Sequence, residues 1–274
     1  MKKFSKLLIS CVLVVLVFSC TKEGSDLNNE YSTDNEHIKS KSQCGNVVIK
    51  YLYDHTGKIV EENGGFSYQR YLYDKNDRLV KVESAWDMNS FSSSSFYVPF
   101  EQRTELMTSA NATINHYKSY KYDKAGRLSK IENYFIKNGK KFELTSINSF
   151  EYEGELIFRE NLCDEKGEIM QFYDYSYDEN GNIIKEKNYI CMFTGLSNPK
   201  LNYETTYKYD NYKNPFQILH ILGPKFYTSA NNMIEMTRKF YDSRIESSKQ
   251  TFIYNTKGYP VKMTYDGGVE EYTY

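Results

Sequence analysis

The chain has 274 residues, 35 Lys plus Arg against 36 Asp plus Glu, and a formal charge of −1. That balance excludes the basic excess expected of a nucleic-acid binder. The 27 tyrosines and 16 phenylalanines are enough to build a large core.

Met1 to Lys6 carries Lys2, Lys3 and Lys6 with no acid, and Leu7 to Phe18 is an apolar run. Twelve residues are too few to cross a bilayer as a helix but suit the core of a signal peptide. The run ends Val17-Phe18-Ser19-Cys20, which resembles the lipobox of bacterial lipoproteins. That resemblance implies cleavage after residue 19 and lipid, palmitate included, on Cys20. With Thr21, Lys22, Glu23 and Asp26 following, it implies an outer-membrane lipoprotein held by its N-terminal lipid. Loss of three lysines moves the formal charge from −1 to −4.

Residues 20–45 are rich in Asn, Ser, Asp, Glu and Lys. Such a stretch buries too little surface to offset its ordering entropy. It is expected to be a flexible tether, leaving 46–274 as one domain.

Within that domain one phrase recurs. It reads Tyr51-Leu-Tyr-Asp-His-Thr-Gly57, Tyr71-Leu-Tyr-Asp-Lys-Asn-Asp77, Tyr120-Lys-Tyr-Asp-Lys-Ala-Gly126 and Tyr175-Ser-Tyr-Asp-Glu-Asn-Gly181, with later copies at Tyr207 and Phe252. Phe150-Glu-Tyr152 and Tyr272-Thr-Tyr274 are partial copies. Alternating aromatics predict a half-buried strand. Asp opens a turn, and Gly three residues on closes it in the left-handed region. The register then sets Tyr53 opposite Ile59, Tyr73 opposite Leu79, Tyr122 opposite Leu128, Tyr177 opposite Ile183, Tyr209 opposite Pro215 and Tyr254 opposite Pro260. The first aromatic of each copy is expected to face Glu61, Lys81, Lys130, Lys185, Gln217 or Lys262. Lys213 stands where the turn needs glycine, so a different loop is expected there. Strand-like segments between the copies bring the total to about 14–16 strands. The fold class is all-β, an antiparallel meander of hairpin repeats forming a curled or barrel-like sheet.

These Tyr-Asp-x-x-Gly phrases resemble the YD repeats of RHS proteins. Together with the lipobox, Ser229-Ala-Asn-Asn232 and Gly258-Tyr-Pro260, the chain is similar over 46–274 to Bacteroidetes lipoproteins of unknown function with a porin-like β meander. That resemblance implies a fold and a location. It assigns no catalytic residue.

No Gly-x-Ser-x-Gly, P-loop or His-Glu-x-x-His is present, and the four histidines are scattered. No catalytic, metal or cofactor residue is expected. Cys44, Cys163 and Cys191 remain outside the leader, and Cys163–Cys191 is the favoured pair if one bridge forms. Three stretches break the repeat: Asp87–Ser95, Thr194–Lys200 and Leu219–Asn232. Aromatics near them (Trp86, Phe96, Tyr97, Phe226, Tyr227) are candidates for a ligand groove. The expected function is a non-catalytic surface module binding a glycan, peptide or protein. A hydrolase of an extracellular polymer and a membrane-spanning porin-like barrel are the alternatives.

Overall fold

The structure, a computed structural model, describes residues 37–86, 105–137, 139, 141–191 and 199–274. Sixteen strands form a closed barrel in which every strand pairs with its sequence neighbours and the last returns to the first. They are β1 (Ser40–Gln43), β2 (Asn46–Tyr53), β3 (Ile59–Gly64), β4 (Ser67–Tyr73), β5 (Leu79–Trp86), β6 (His116–Tyr122), β7 (Leu128–Lys137) and β8 (Lys141–Glu153). Then follow β9 (Leu156–Cys163), β10 (Ile169–Tyr177), β11 (Ile183–Ile190), β12 (Lys200–Lys213), β13 (Asn231–Phe240), β14 (Ile245–Tyr254), β15 (Pro260–Tyr265) and β16 (Gly268–Thr273). All pairings are antiparallel, so the expected meander is present and closes without a free edge.

The turn chemistry is uniform. Asp54 Oδ1 accepts from the backbone N–H of Thr56 at 2.8 Å and of Lys58 at 3.0 Å, and Gly57 has φ +85°. These bonds hold the Asp54 carboxyl down at about 2, the Thr56 hydroxyl being the strongest influence. Asp77 takes the same left-handed place at φ +64°. Its β-carboxylate makes that region cheaper than for most side chains.

The predicted cross-turn pairs Tyr53–Ile59, Tyr73–Leu79, Tyr122–Leu128, Tyr177–Ile183 and Tyr254–Pro260 are present. One residue further from the turn the prediction fails. A bulge in each hairpin shifts the register, so Tyr51 faces Glu62, Tyr71 faces Val82, Tyr120 faces Ile131, Tyr175 faces Glu186 and Phe252 faces Met263. Glu61, Lys81, Lys130, Lys185 and Lys262 therefore belong to the opposite, outward face, across from Leu52, Leu72, Lys121, Ser176 and Ile253. An inserted residue flips every side chain beyond it.

Two further expectations are corrected. Ser40–Gln43, inside the stretch read as tether, is a barrel strand paired with both β2 and β16. Its polar residues hid it, because Lys41 and Gln43 are satisfied by Glu270 across the seam. The Cys163–Cys191 bridge does not form: both thiols are free and buried. Cys163 opposes Ile169 on β10, and the Cys191 N–H donates to Met170 on that strand's other side. With β10 between them the backbones stand about 10 Å apart, beyond the roughly 7 Å a disulfide spans.

In place of a turn, β12 is followed by η1 (Pro215–Leu222) and η2 (Phe226–Thr228), two 3₁₀ segments that enter the barrel. Tyr209 consequently pairs with Met233, not with Pro215. Asn214 starts the insertion, its Oδ1 accepting from Phe216 N–H while its amide donates to the Tyr227 and Ser229 carbonyls. Leu219 packs among the buried Tyr51, Tyr71, Tyr120 and Tyr272. The core is thus the barrel lumen, filled by this plug.

Candidate functional site

The first tyrosine of each phrase points inward, and so do Glu62, Lys118, Glu160, Glu186, Arg238 and Glu270, which share its pleat. On the outside, neighbouring strands carry ion-pair ladders. Arg70 pairs with Glu83, which also accepts from Lys81 at 2.7 Å; Glu235 lies between Lys208 at 3.0 Å and Lys249 at 3.9 Å. Arg159 grips Asp174 through two nitrogens at 2.6 and 3.0 Å.

Two cavities flank the plug. One, of about 450 Å³, lies toward the turn rim between the plug and hairpins carrying Tyr122, Tyr152 and Tyr177. The other, of about 410 Å³, lies against strands β1–β4 and β13–β16. Its walls are Tyr51, Tyr71, Tyr272 and Phe252 from the barrel and Phe216, Leu219, Phe226 and Tyr227 from the plug. Lys41, Glu62, Gln69, Gln250 and Glu270 supply the polar groups.

Its two carboxylates differ. Glu270 Oε1 receives Lys41 Nζ at 2.7 Å and Gln43 Nε2 at 2.8 Å, and Oε2 receives the Tyr272 hydroxyl at 3.0 Å. Glu62 has a long 3.4 Å contact from the Tyr71 hydroxyl and no ion pair among the described residues. Burial pushes its pKa up, opposed by the Tyr71 hydrogen bond, by Lys41 and by a hydrogen bond from Gln69. Across the plug, Glu160 is 3 % exposed and accepts from Asn148 at 2.7 Å, Tyr175 at 2.8 Å and Lys225 at 3.2 Å. Lys225 therefore ties the plug to the wall. Lys118 faces the same region, its pKa lowered by burial and by Lys225.

Of the expected groove residues, Phe226 and Tyr227 line the cavity of about 410 Å³. Trp86 does not join them: it ends β5 beside His116, with ring centroids 6.1 Å apart, and remains 44 % exposed. Phe96 and Tyr97 lie outside the described residues. Glu62, Glu270 and Lys41 were missed, because only closure of the barrel brings β1, β3 and β16 around one space. Among the described residues, no cluster of three His, Cys, Asp or Glu side chains could hold a metal ion, and no helix is long and apolar enough to cross a membrane.

No family model and no curated protein matches the chain. Among solved structures it is similar to a porin-like protein from Bacteroides vulgatus, with 10 % identity, a TM-score of 0.51, and coverage of 88 % of this chain and 99 % of that one. A porin-like protein from Bacteroides uniformis aligns over 86 % of this chain and 97 % of its own at 11 % identity and a TM-score of 0.37. A TcdB2–TccC3 structure aligns over 79 % of this chain but 12 % of its own, with 13 % identity and a TM-score of 0.30. The first of these likenesses establishes the porin-like antiparallel barrel as the fold class.

Proposed function

We propose that this protein is an envelope lipoprotein, anchored through lipid on Cys20 at the outer membrane, whose barrel binds a small ligand in its lumen without catalysis. The observation that carries this reading is the contrast between the faces. Charged ladders run along the outside, while aromatic rings, amides and the carboxylates of Glu62 and Glu186, neither in an ion pair among the described residues, converge on a plugged interior. A barrel that spans lipid needs a continuous apolar band outside. Here Arg70, Glu83, Lys208, Glu235 and Lys249 occupy that surface, so the porin-like fold is read as a water-facing container. Against catalysis, Glu270 already accepts from three donors, which leaves Glu62 without a second uncommitted carboxyl in this cavity for acid–base work. The earlier expectation of a glycan, peptide or protein ligand narrows to a molecule or chain end small enough for about 410 Å³. That volume is in the range of ligand pockets.

The test uses the full chain with Cys20→Ser, so that no lipid is attached. It should stay soluble without detergent, and a thermal-shift screen of sugars, short peptides, amines and carboxylates should give one stabilising class. Gln250→Trp, which fills the cavity, should remove the shift. A chain that needs detergent, or a shift that Gln250→Trp leaves intact, would overturn the reading.

A further inference from the structure

We infer that the lumen cavity selects an organic cation, a protonated amine on an apolar or aromatic body. This rests on the proposal above that the lumen binds a ligand. The charges lining the cavity are Lys41, Glu62 and Glu270. Lys41 is committed to Glu270 at 2.7 Å, and every oxygen of Glu270 is occupied. One negative charge is left over, on Glu62, whose partners are the Tyr71 hydroxyl at 3.4 Å and the Gln69 amide, both neutral. Burying an uncompensated charge is costly, and an arriving cation would relieve that cost.

The walls suit the same partner. The rings of Tyr51, Tyr71, Phe216 and Tyr272 meet around the cavity, with Tyr51–Phe216 centroids at 6.2 Å and Phe216–Tyr272 at 5.8 Å, both edge to face. Ring faces attract ammonium groups, most strongly when desolvated. A carboxylate on the ligand would meet Glu62, and Lys41, the cation among the described lining residues, is already paired with Glu270. A neutral polyol could use Gln250 but would bring no charge to balance Glu62.

Ionisation of Glu62 sets the pH dependence. Facing it are Lys41, Tyr51, Tyr53, Tyr71, Tyr227 and, through Lys41, Glu270. The phenols are pushed further up from their usual range by burial and stay neutral at physiological pH. Because the Glu62 pKa is raised, cation binding should weaken as pH falls into the upper carboxylate range.

The experiment is calorimetric titration of the Cys20→Ser chain with 2-phenylethylamine, 2-phenylethanol and 3-phenylpropanoate at pH 7.5 and pH 5. The amine should bind at least tenfold more tightly than the alcohol at pH 7.5, with the gap narrowing at pH 5. Glu62→Gln should abolish both the preference and its pH dependence while keeping the melting temperature at or above that of the parent. Equal binding of alcohol or carboxylate, or an amine preference that survives Glu62→Gln, would overturn the inference. If the wider screen finds a lumen ligand and the amine is not favoured, only this inference fails; if nothing binds the lumen, both fail.

Discussion

The Tyr73 hydroxyl donates to the Ile59 carbonyl at 2.9 Å, joining the end of β4 to the start of β3, the strand before it. The β3–β4 ladder stops at Glu61–Arg70, short of the rim, and the phenol bridges the gap. The same latch recurs as Tyr53 to Ile38, Tyr122 to Leu79, Tyr152 to Leu128, Tyr177 to Ile157, Tyr209 to Ile183 and Tyr274 to Pro260, at 2.7–2.8 Å. Tyr254, next to the plug insertion, turns instead to the Asp210 carboxylate. The second tyrosine of the phrase is thus an interstrand bond that the backbone does not make. Tyr73→Phe keeps the ring and leaves the carbonyl without its donor, so it should cost about 1–2 kcal/mol. Urea unfolding would check this; an unchanged midpoint would mean water replaces the phenol at no cost.

The turn glycines give a purely local prediction. Gly181 has φ +81°, and a Cβ there would meet nothing within 4 Å. The whole penalty of Gly181→Val is then backbone strain, about 1–2 kcal/mol. Gly181→Asp should cost less, since Asp77 already holds the equivalent place at φ +64°. Paired melting curves of the two variants test the order, and a valine as benign as aspartate would refute the strain argument.

The plug depends on Lys225. Replacing it with Met leaves Glu160 buried with Asn148 and Tyr175 but without its ion pair. Losing one partner of a fully buried pair costs roughly 3–5 kcal/mol. The Lys225 side chain is 38 % exposed, so a smaller loss of about 1–3 kcal/mol is expected here. Adding Glu160→Gln should recover part of it. A double variant no better than the single would show that the plug is held by its apolar contacts, with Leu219 and Phe216 foremost.

How far the sequence could be read follows from where each constraint acts. Asp54, Gly57 and their repeats act within five residues, so the turns and the pairs beside them were legible. A bulge after Ile59, which recurs beside the turn in every hairpin copy, was not allowed for in the register, and it reversed the facing of Glu61 and Glu62. Asp164–Gly167 makes the same turn at the opposite rim, with Asp164 Oδ1 accepting from Lys166 and Glu168 N–H; it went unread because no Tyr-x-Tyr precedes it. Lys213 correctly flagged a broken turn, and Asn214 then caps a plug instead. The phrase Ser229-Ala-Asn-Asn232 fastens the plug's exit, for Asn231 N–H donates to Asn182 and Asn232 to Asp210. Nothing local indicates that this segment goes into the lumen. The cavity was hidden for the same reason, since Lys41, Glu62 and Glu270 are distant in sequence.

The lumen acid also predicts how stability varies with pH. The Glu62 carboxyl is raised above its usual value by burial, so folding favours the protonated form. Its contribution to stability is therefore greatest below the unfolded pKa of about 4.3 and declines as pH rises from there through the folded value. Glu186 is raised for the same first cause, whereas the Asp54 carboxyl, held at about 2, acts in the opposite direction. Both are common to parent and variant, so a difference measurement isolates Glu62. Glu62→Gln should match the parent near pH 4 and melt higher than it at pH 7.5, the gap opening between those limits. A gap that is constant with pH would show that Glu62 does not titrate differently in the folded barrel, and an inverted gap would mean that its carboxylate is already compensated inside the lumen.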